Sequence, residues 1–194
     1  MKLSYLIFVI LLISINCLAQ DIPAENDPIL NPYQINLKQV PEINGKSISF
    51  YLNHPSIDKY AKLFYNGKFA IGDDDPTVAM CDSLFTSNNQ TRPFYLYLFC
   101  RIVELSDGAV AEITSGYCLN YLKKHPCEFM RFTKAKEYDF PQDQWISFVG
   151  WALYTESEFR EFERQVDPLV RKYCASSDDD WLAIKTRIKA KLAK

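Results

Sequence analysis

The chain has 194 residues, of which 48% are hydrophobic, and a formal net charge of −2. This length suits one domain with short additional segments, and the hydrophobic content excludes an intrinsically disordered chain. The near-neutral charge, without a basic patch, argues against nucleic-acid binding, and six glycines are few for a sandwich or barrel built from many tight turns.

An apolar run near the start predicts a signal peptide that covers residues 1–19. Lys2 supplies a positive charge, and Leu6–Ile15 is almost entirely apolar yet short for a membrane-spanning helix. Small residues at positions 17 and 19 match the pattern that signal peptidases prefer. We therefore expect cleavage between Ala19 and Gln20.

A lipid anchor on Cys17 is the alternative for the same segment. Bacterial lipoprotein signals place a small residue directly before the lipidated cysteine, whereas Ser14, Ile15 and Asn16 precede Cys17 here. This poor match favours an exported protein that is periplasmic or secreted and free of lipid, with no membrane span once the signal is removed.

Residues 20–46 are rich in proline and asparagine, which predicts an extended arm before a single helical domain at 47–194. The alternative is that the arm lies across the domain through its apolar residues, which are Ile29, Leu30, Tyr33 and Leu37. The stretch "SISFYL", residues 47–52, is the one strand-like segment that follows.

Helix signals then become frequent. Ser56 is placed to cap a helix that stops at Asn66-Gly67, and Asp75-Pro76 opens the next. The run "FYLYLFCRIV" after Pro93 is apolar on nearly every side. A buried strand would fit it, but a proline suits a helix start, so we predict a central helix.

The second half of the chain continues the pattern. Ser106 is placed to cap a helix that ends at His125-Pro126, and it contains Gly116, which costs about 1 kcal/mol relative to alanine unless a neighbouring helix needs the close approach. We predict another helix over Pro141–Tyr154. We predict a capping box of Thr155 and Glu158 at the start of the following helix, and an interruption of that helix at Pro168.

The last helix follows Asp178–Asp180. Because the connections between successive helices are short, neighbours are expected to run antiparallel. The predicted fold class is all-α, an irregular antiparallel bundle or a short stack of helix pairs, with an extended N-terminal arm.

Catalytic and metal-binding motifs are absent from the sequence, and only two histidines, His54 and His125, are present. Both precede prolines at predicted helix boundaries. The acidic runs Asp73–Asp75 and Asp178–Asp180 lack the remaining ligands of a calcium loop, and both precede helices, where negative charge is favourable. No catalytic residue, metal or cofactor is predicted, and the protein is expected to be non-enzymatic.

Five cysteines remain after the predicted cleavage. Cys81, Cys100 and Cys118 fall at similar heights on successive predicted helices, because each residue of a helix rises about 1.5 Å. We predict one disulfide bond between Cys81 and either of the other two. The alternative is that these small residues only fill core space.

The helix Pro141–Tyr154 carries apolar residues on more than one face. Either the helix is buried all round or part of it lies at the surface. In the second case Trp151, which lies off the stripe formed by Trp145, Phe148 and Val149, is the candidate anchor for a partner protein, since exposed tryptophans often carry binding energy.

These features favour an exported helical protein of the cell envelope that binds a partner protein. In size, export and helicity it resembles small exported helical immunity proteins, which block toxins in the periplasm. No motif carries that resemblance, so no residue roles follow from it. The alternatives are a carrier of an apolar ligand in an aromatic-lined cavity and an exported hydrolase.

Overall fold

Helices make up nearly all of the regular structure in residues 39–174 and 178–192, which are the residues that the computed structural model describes. The all-α prediction is therefore confirmed. The predicted signal peptide, the cleavage site at Ala19 and Gln20, Cys17 and most of the 20–46 arm lie outside the described residues.

The helices of this part of the chain are α1 (Ile48–Leu52), α2 (Lys59–Tyr65), α3 (Asp75–Asp82), α4 (Arg92–Leu105), α5 (Gly108–Lys124), α6 (Pro126–Phe132), α7 (Gln142–Ala152), α8 (Glu156–Tyr173) and α9 (Asp178–Lys189). Two short 3₁₀ turns cover Ser83–Phe85 and Lys136–Tyr138. A small antiparallel hairpin of β1 (Glu42–Ile43) and β2 (Lys46–Ser47) precedes them.

The hairpin belongs to the end of the predicted arm. Its turn is Asn44-Gly45, and both residues have positive φ, which is the conformation that tight hairpins require and that these residue types tolerate. Ile43 is buried, and the Tyr51 hydroxyl donates to its carbonyl oxygen at 2.9 Å. Residues 42–47 are thus packed on the helical domain.

The strand predicted over residues 47–52 is wrong beyond its first residue. Ser47 ends β2 and caps α1, since its hydroxyl accepts a hydrogen bond from the Phe50 amide at 3.3 Å. An N-terminal cap satisfies one of the free amides of the first turn and so favours the helix over a strand.

The central helix is α4, as predicted. Ten consecutive residues, Phe94–Val103, are buried. One of them is Arg101, whose guanidinium donates to the carbonyl oxygens of Tyr138 and Asp139 at 2.9 and 2.6 Å. This buried charge therefore joins α4 to the second 3₁₀ turn.

Two predicted caps are displaced. Asp58, rather than Ser56, caps α2, and its carboxylate accepts from the Tyr60 amide at 2.7 Å. Ser106 does not cap α5, because its hydroxyl donates back to the Ile102 carbonyl at 2.6 Å and so completes the end of α4. A carboxylate competes well with a hydroxyl as a cap.

Helix α8 begins with the predicted capping box of Thr155 and Glu158, but Pro168 does not interrupt it. The proline removes one amide donor, and the acceptor that loses its partner is the carbonyl four residues earlier, at Arg164. Arg164 is exposed, so water can satisfy that carbonyl, and the helix continues to Tyr173.

Trp145 lies at the centre of an aromatic cluster beneath α5 and α7. Its ring is fully buried and lies 5.0 Å from the ring of Phe99, 5.7 Å from Tyr121 and Phe129, and 4.9 Å from Phe140, measured between centroids. This cluster fixes α7 against α4, α5 and α6, and therefore fixes the relative position of α5 and α7.

No helix in the described part of the chain is both long enough and apolar enough to cross a lipid bilayer.

Candidate functional site

The outer face of α7 is only partly covered. Trp145, Ile146, Phe148 and Val149 are buried, whereas Trp151 is 51% exposed. The interpretation of α7 as a helix buried on every side is therefore wrong, and Trp151, the candidate for partner binding, lies at the surface. Its ring packs on one side against Phe148, with centroids 5.3 Å apart.

Trp151 borders an open groove of about 1170 Å³ that runs between α5 and α7. The α5 side is lined by Gly108, Ala111, Glu112, Ser115 and Gly116, and Ser106 and Asp107 lie at its start. The α7 side is lined by Asp143, Gln144, Ser147, Phe148, Trp151 and Ala152, followed by Tyr154. Each set recurs at helical spacing, so each is one stripe of its helix.

Four of the five α5 residues that line the groove have small side chains, and Glu112 is the exception. Gly116 lies in the helix interior, and a Cβ atom built on it meets nothing within 4 Å. At this position no described atom lies close enough to require a glycine, so the close approach of a neighbouring helix does not explain Gly116. The absent side chain leaves open space in the groove.

Carboxylates dominate the charge of the groove. Asp107, Glu112 and Asp143 line it, and none of the described lining residues is lysine or arginine. Asp143 is ion-paired with Arg187 of α9, which is not a lining residue. Asp107 and Glu112 form no ion pair within residues 39–174 and 178–192. The groove therefore presents an apolar floor with an acidic rim.

The cysteine prediction is wrong. The disulfide bond joins Cys127 at the start of α6 to Cys174 at the end of α8, with Cα atoms 5.1 Å apart. Cys81, Cys100 and Cys118 are buried free thiols. They lie near one another, and burial, with smaller contributions from the other two thiols, raises the pKa of Cys118. Similar height does not direct the side chains at each other, which a disulfide requires.

The two histidines lie at a turn and at a helix junction, and His125 Nδ1 is 3.8 Å from a carboxylate oxygen of Glu128. The His54 ring accepts a hydrogen bond from the Ser56 amide at 3.1 Å, so it stabilises a turn. His125 lies at the junction of α5 and α6, with its ring 5.1 Å from that of Tyr121. Desolvation lowers the pKa of His125, although nearby Glu128 opposes the shift. A Cys–His pair with Cys127 is excluded, because that sulfur is in the disulfide.

The acidic runs occupy helix starts. Asp74 caps α3, where its carboxylate accepts from the Thr77 amide at 2.9 Å, and α9 begins at Asp178 itself. Within the described ranges, no group of three or more His, Cys, Asp or Glu side chains is arranged to hold a metal ion.

Comparison with other proteins gives no relative for the site. Protein-family models, curated proteins and solved structures all return no match to this chain. Sequence reasoning singled out Trp151 and noticed Gly116, but it missed the acidic residues and the small α5 stripe that complete the groove.

Proposed function

We propose that this protein is an exported, non-enzymatic protein of the cell envelope that binds a partner protein through the groove between α5 and α7. The observation that carries the proposal is the position of Trp151, which is held at the groove by a rigid helix and remains half exposed. Tryptophan is enriched among the residues that dominate the binding energy of protein interfaces.

The exposed area of Trp151 is large enough to matter for binding. A tryptophan buries up to about 250 Å² in a core or interface, so roughly half of that area remains available here. At about 25 cal/mol per Å², covering it contributes on the order of 3 kcal/mol. The opposite ring face is already packed on Phe148, so little side-chain freedom is lost on binding.

The two alternative functions have less support. A carrier of an apolar ligand calls for a closed cavity, whereas this groove is open to solvent and acidic at its rim. A hydrolase calls for carboxylates enclosed in a cleft, whereas the Asp143 side chain is 94% exposed and ion-paired with Arg187. The Cys127–Cys174 bond supports export, because disulfides persist mainly in oxidising compartments.

The test places an aromatic photo-crosslinking amino acid at position 151 in the native host, so that an aromatic ring remains at the groove. Position 173 is the matched control, since Tyr173 is also an exposed aromatic, at 64%, but lies at the end of α8 outside the groove. We expect a defined crosslinked protein from position 151 and none from position 173. The crosslinked species must then bind the purified protein directly.

Trp151→Ala and Tyr173→Ala complete the test. We expect Trp151→Ala to weaken binding of the crosslinked protein by tenfold or more and to cost less than about 2 kcal/mol of stability, because the ring is only half buried. Tyr173→Ala should leave binding unchanged. Equal binding by both variants would mean that the groove is not the interface.

A further inference from the structure

We infer that the groove receives a basic, amphipathic helix of the partner. This inference rests on the proposed function, and it specifies the chemistry of the segment that binds. The groove combines apolar surface, unpaired negative charge and helical geometry in one place, and each of these properties restricts the ligand in a different way.

Charge restricts the ligand first. Asp107 and Glu112 are exposed, line the groove and form no ion pair within the described parts of the chain, and Asp143 adds a third carboxylate whose partner, Arg187, lies outside the lining. An acidic ligand would be repelled by these groups, whereas lysine or arginine on the ligand would pair with them. Complementary charge also accelerates association and selects among partners.

The helical walls of the groove also restrict the ligand. The walls are two helices, and beyond their terminal turns the backbone amides and carbonyls are bonded within each helix, so the groove offers no strand edge to which an extended segment could add. A ligand that satisfies its own backbone groups fits such a site, and an α-helix does so. The α5 stripe runs from Gly108 to Gly116, about 12 Å, which is the length of roughly two helical turns.

The glycine at position 116 supports the same ligand. Glycine inside a helix is unfavourable by about 1 kcal/mol, and no neighbour within 4 Å of the built Cβ requires it in the described structure. The open space above Gly116 allows another helix to approach closely. The ligand helix would place aliphatic side chains at spacings of three and four over this floor, with Trp151 covering one side and basic residues at the acidic rim.

The experiment uses two designed helical peptides of equal length, labelled with fluorescein. Both carry leucines at positions i, i+3, i+4 and i+7, and their flanking positions are lysine in one and glutamate in the other. Binding to the whole purified protein is measured by fluorescence anisotropy at low and at 0.5 M salt. We expect the lysine peptide to bind at least tenfold more tightly than the glutamate peptide, and high salt to remove most of that difference.

Three variants locate the site. Gly116→Leu places a large side chain in the groove at a position where a Cβ atom meets no neighbour within 4 Å, and Asp107→Asn with Glu112→Gln removes two rim charges. Each should weaken binding of the lysine peptide at least tenfold at low salt. Glu161→Gln, a change on α8 outside the groove, should have no effect. Circular dichroism and thermal melts verify that all the variants are folded.

The outcomes separate this inference from the proposed function. If position 151 crosslinks a partner but both peptides bind equally or neither binds, the basic helix is the wrong ligand and the proposed function stands. Binding that survives Gly116→Leu would place the peptide elsewhere and overturn the inference. If position 151 also fails to crosslink a partner, the proposed function falls as well.

Discussion

Removing the Cys127–Cys174 bond should cost this domain a large share of its stability. The bond closes a loop across 47 positions of sequence and ties the end of α8 to the start of α6. In the chain-entropy description, a loop of this length restricts the unfolded chain by about 4 kcal/mol at 25 °C. Domains of this size are usually stable by only about 5–15 kcal/mol, so the loss would be easy to measure.

The measurement is urea unfolding of the purified protein against a variant with Cys127→Ser and Cys174→Ser. We expect the variant to unfold at lower urea with a free energy of unfolding reduced by about 3–4 kcal/mol. Reductant should lower the stability of the wild type toward that of the variant and leave the variant unchanged. This second comparison separates loss of the bond from effects of the two serines.

Two results would refute the reasoning. Equal stability of the wild type and the double variant would mean that the bond does not form or does not constrain the unfolded chain. Peptide mapping without reductant is the direct check on pairing. A bridge that includes Cys81 would show that the buried thiols, and not the pair between α6 and α8, form the disulfide.

Three further predictions concern single residues. Gly116→Ala should raise the free energy of unfolding by about 0.5–1 kcal/mol, since the added Cβ meets no atom within 4 Å. Gly150→Ala should lower the melting temperature, because its Cβ would lie 2.6 Å from Lys191 Cβ and 3.0 Å from backbone atoms of that residue. Burial raises the pKa of the Cys81 thiol to about 12, so thiol reagents at pH 8 should modify it in urea-unfolded protein but not in folded protein, as mass spectrometry can determine. The folded-state pKa of His125 lies below its usual 6.5, so the unfolded chain binds protons more readily and stability should fall as the pH drops below about 6.5. His125→Asn should reduce this pH dependence, measured by urea titrations at pH 5 and 7.5. An identical pH dependence in both proteins would contradict the assignment to His125.

The helices were predictable where a local signal marked them. Pro93 near the start of α4 and the Thr155 capping box act within one turn of the chain, so their effect is readable without knowledge of the fold. The failures have a common cause, which is competition between local signals. Asp58 displaced Ser56 as a cap, and Pro168 remains inside α8, four residues after the exposed Arg164.

The cysteine error shows the limit of one-dimensional geometry. Helical rise gives the height of Cys81, Cys100 and Cys118 along their helices, and all three are buried free thiols. Rotation of each helix about its own axis decides whether two sulfur atoms meet, and tertiary packing sets that rotation. The pairing of Cys127 with Cys174 requires α8 to fold back against α6, and no local pattern specifies that return.

Only part of the groove could be predicted from the sequence, for a related reason. The pattern of α7 predicts that Trp151 lies off the main apolar stripe. It cannot distinguish a second buried face from an exposed one, since that depends on the side chains of the helix that packs against α7. Here the α5 residues across the groove from Trp151 include glycine, alanine and serine, whose side chains are small. The exposure of Trp151 is therefore a property of the pair of helices. Gly116 indicates this exposure, because a glycine destabilises the interior of a helix and no described atom lies within 4 Å of the position that its Cβ would occupy.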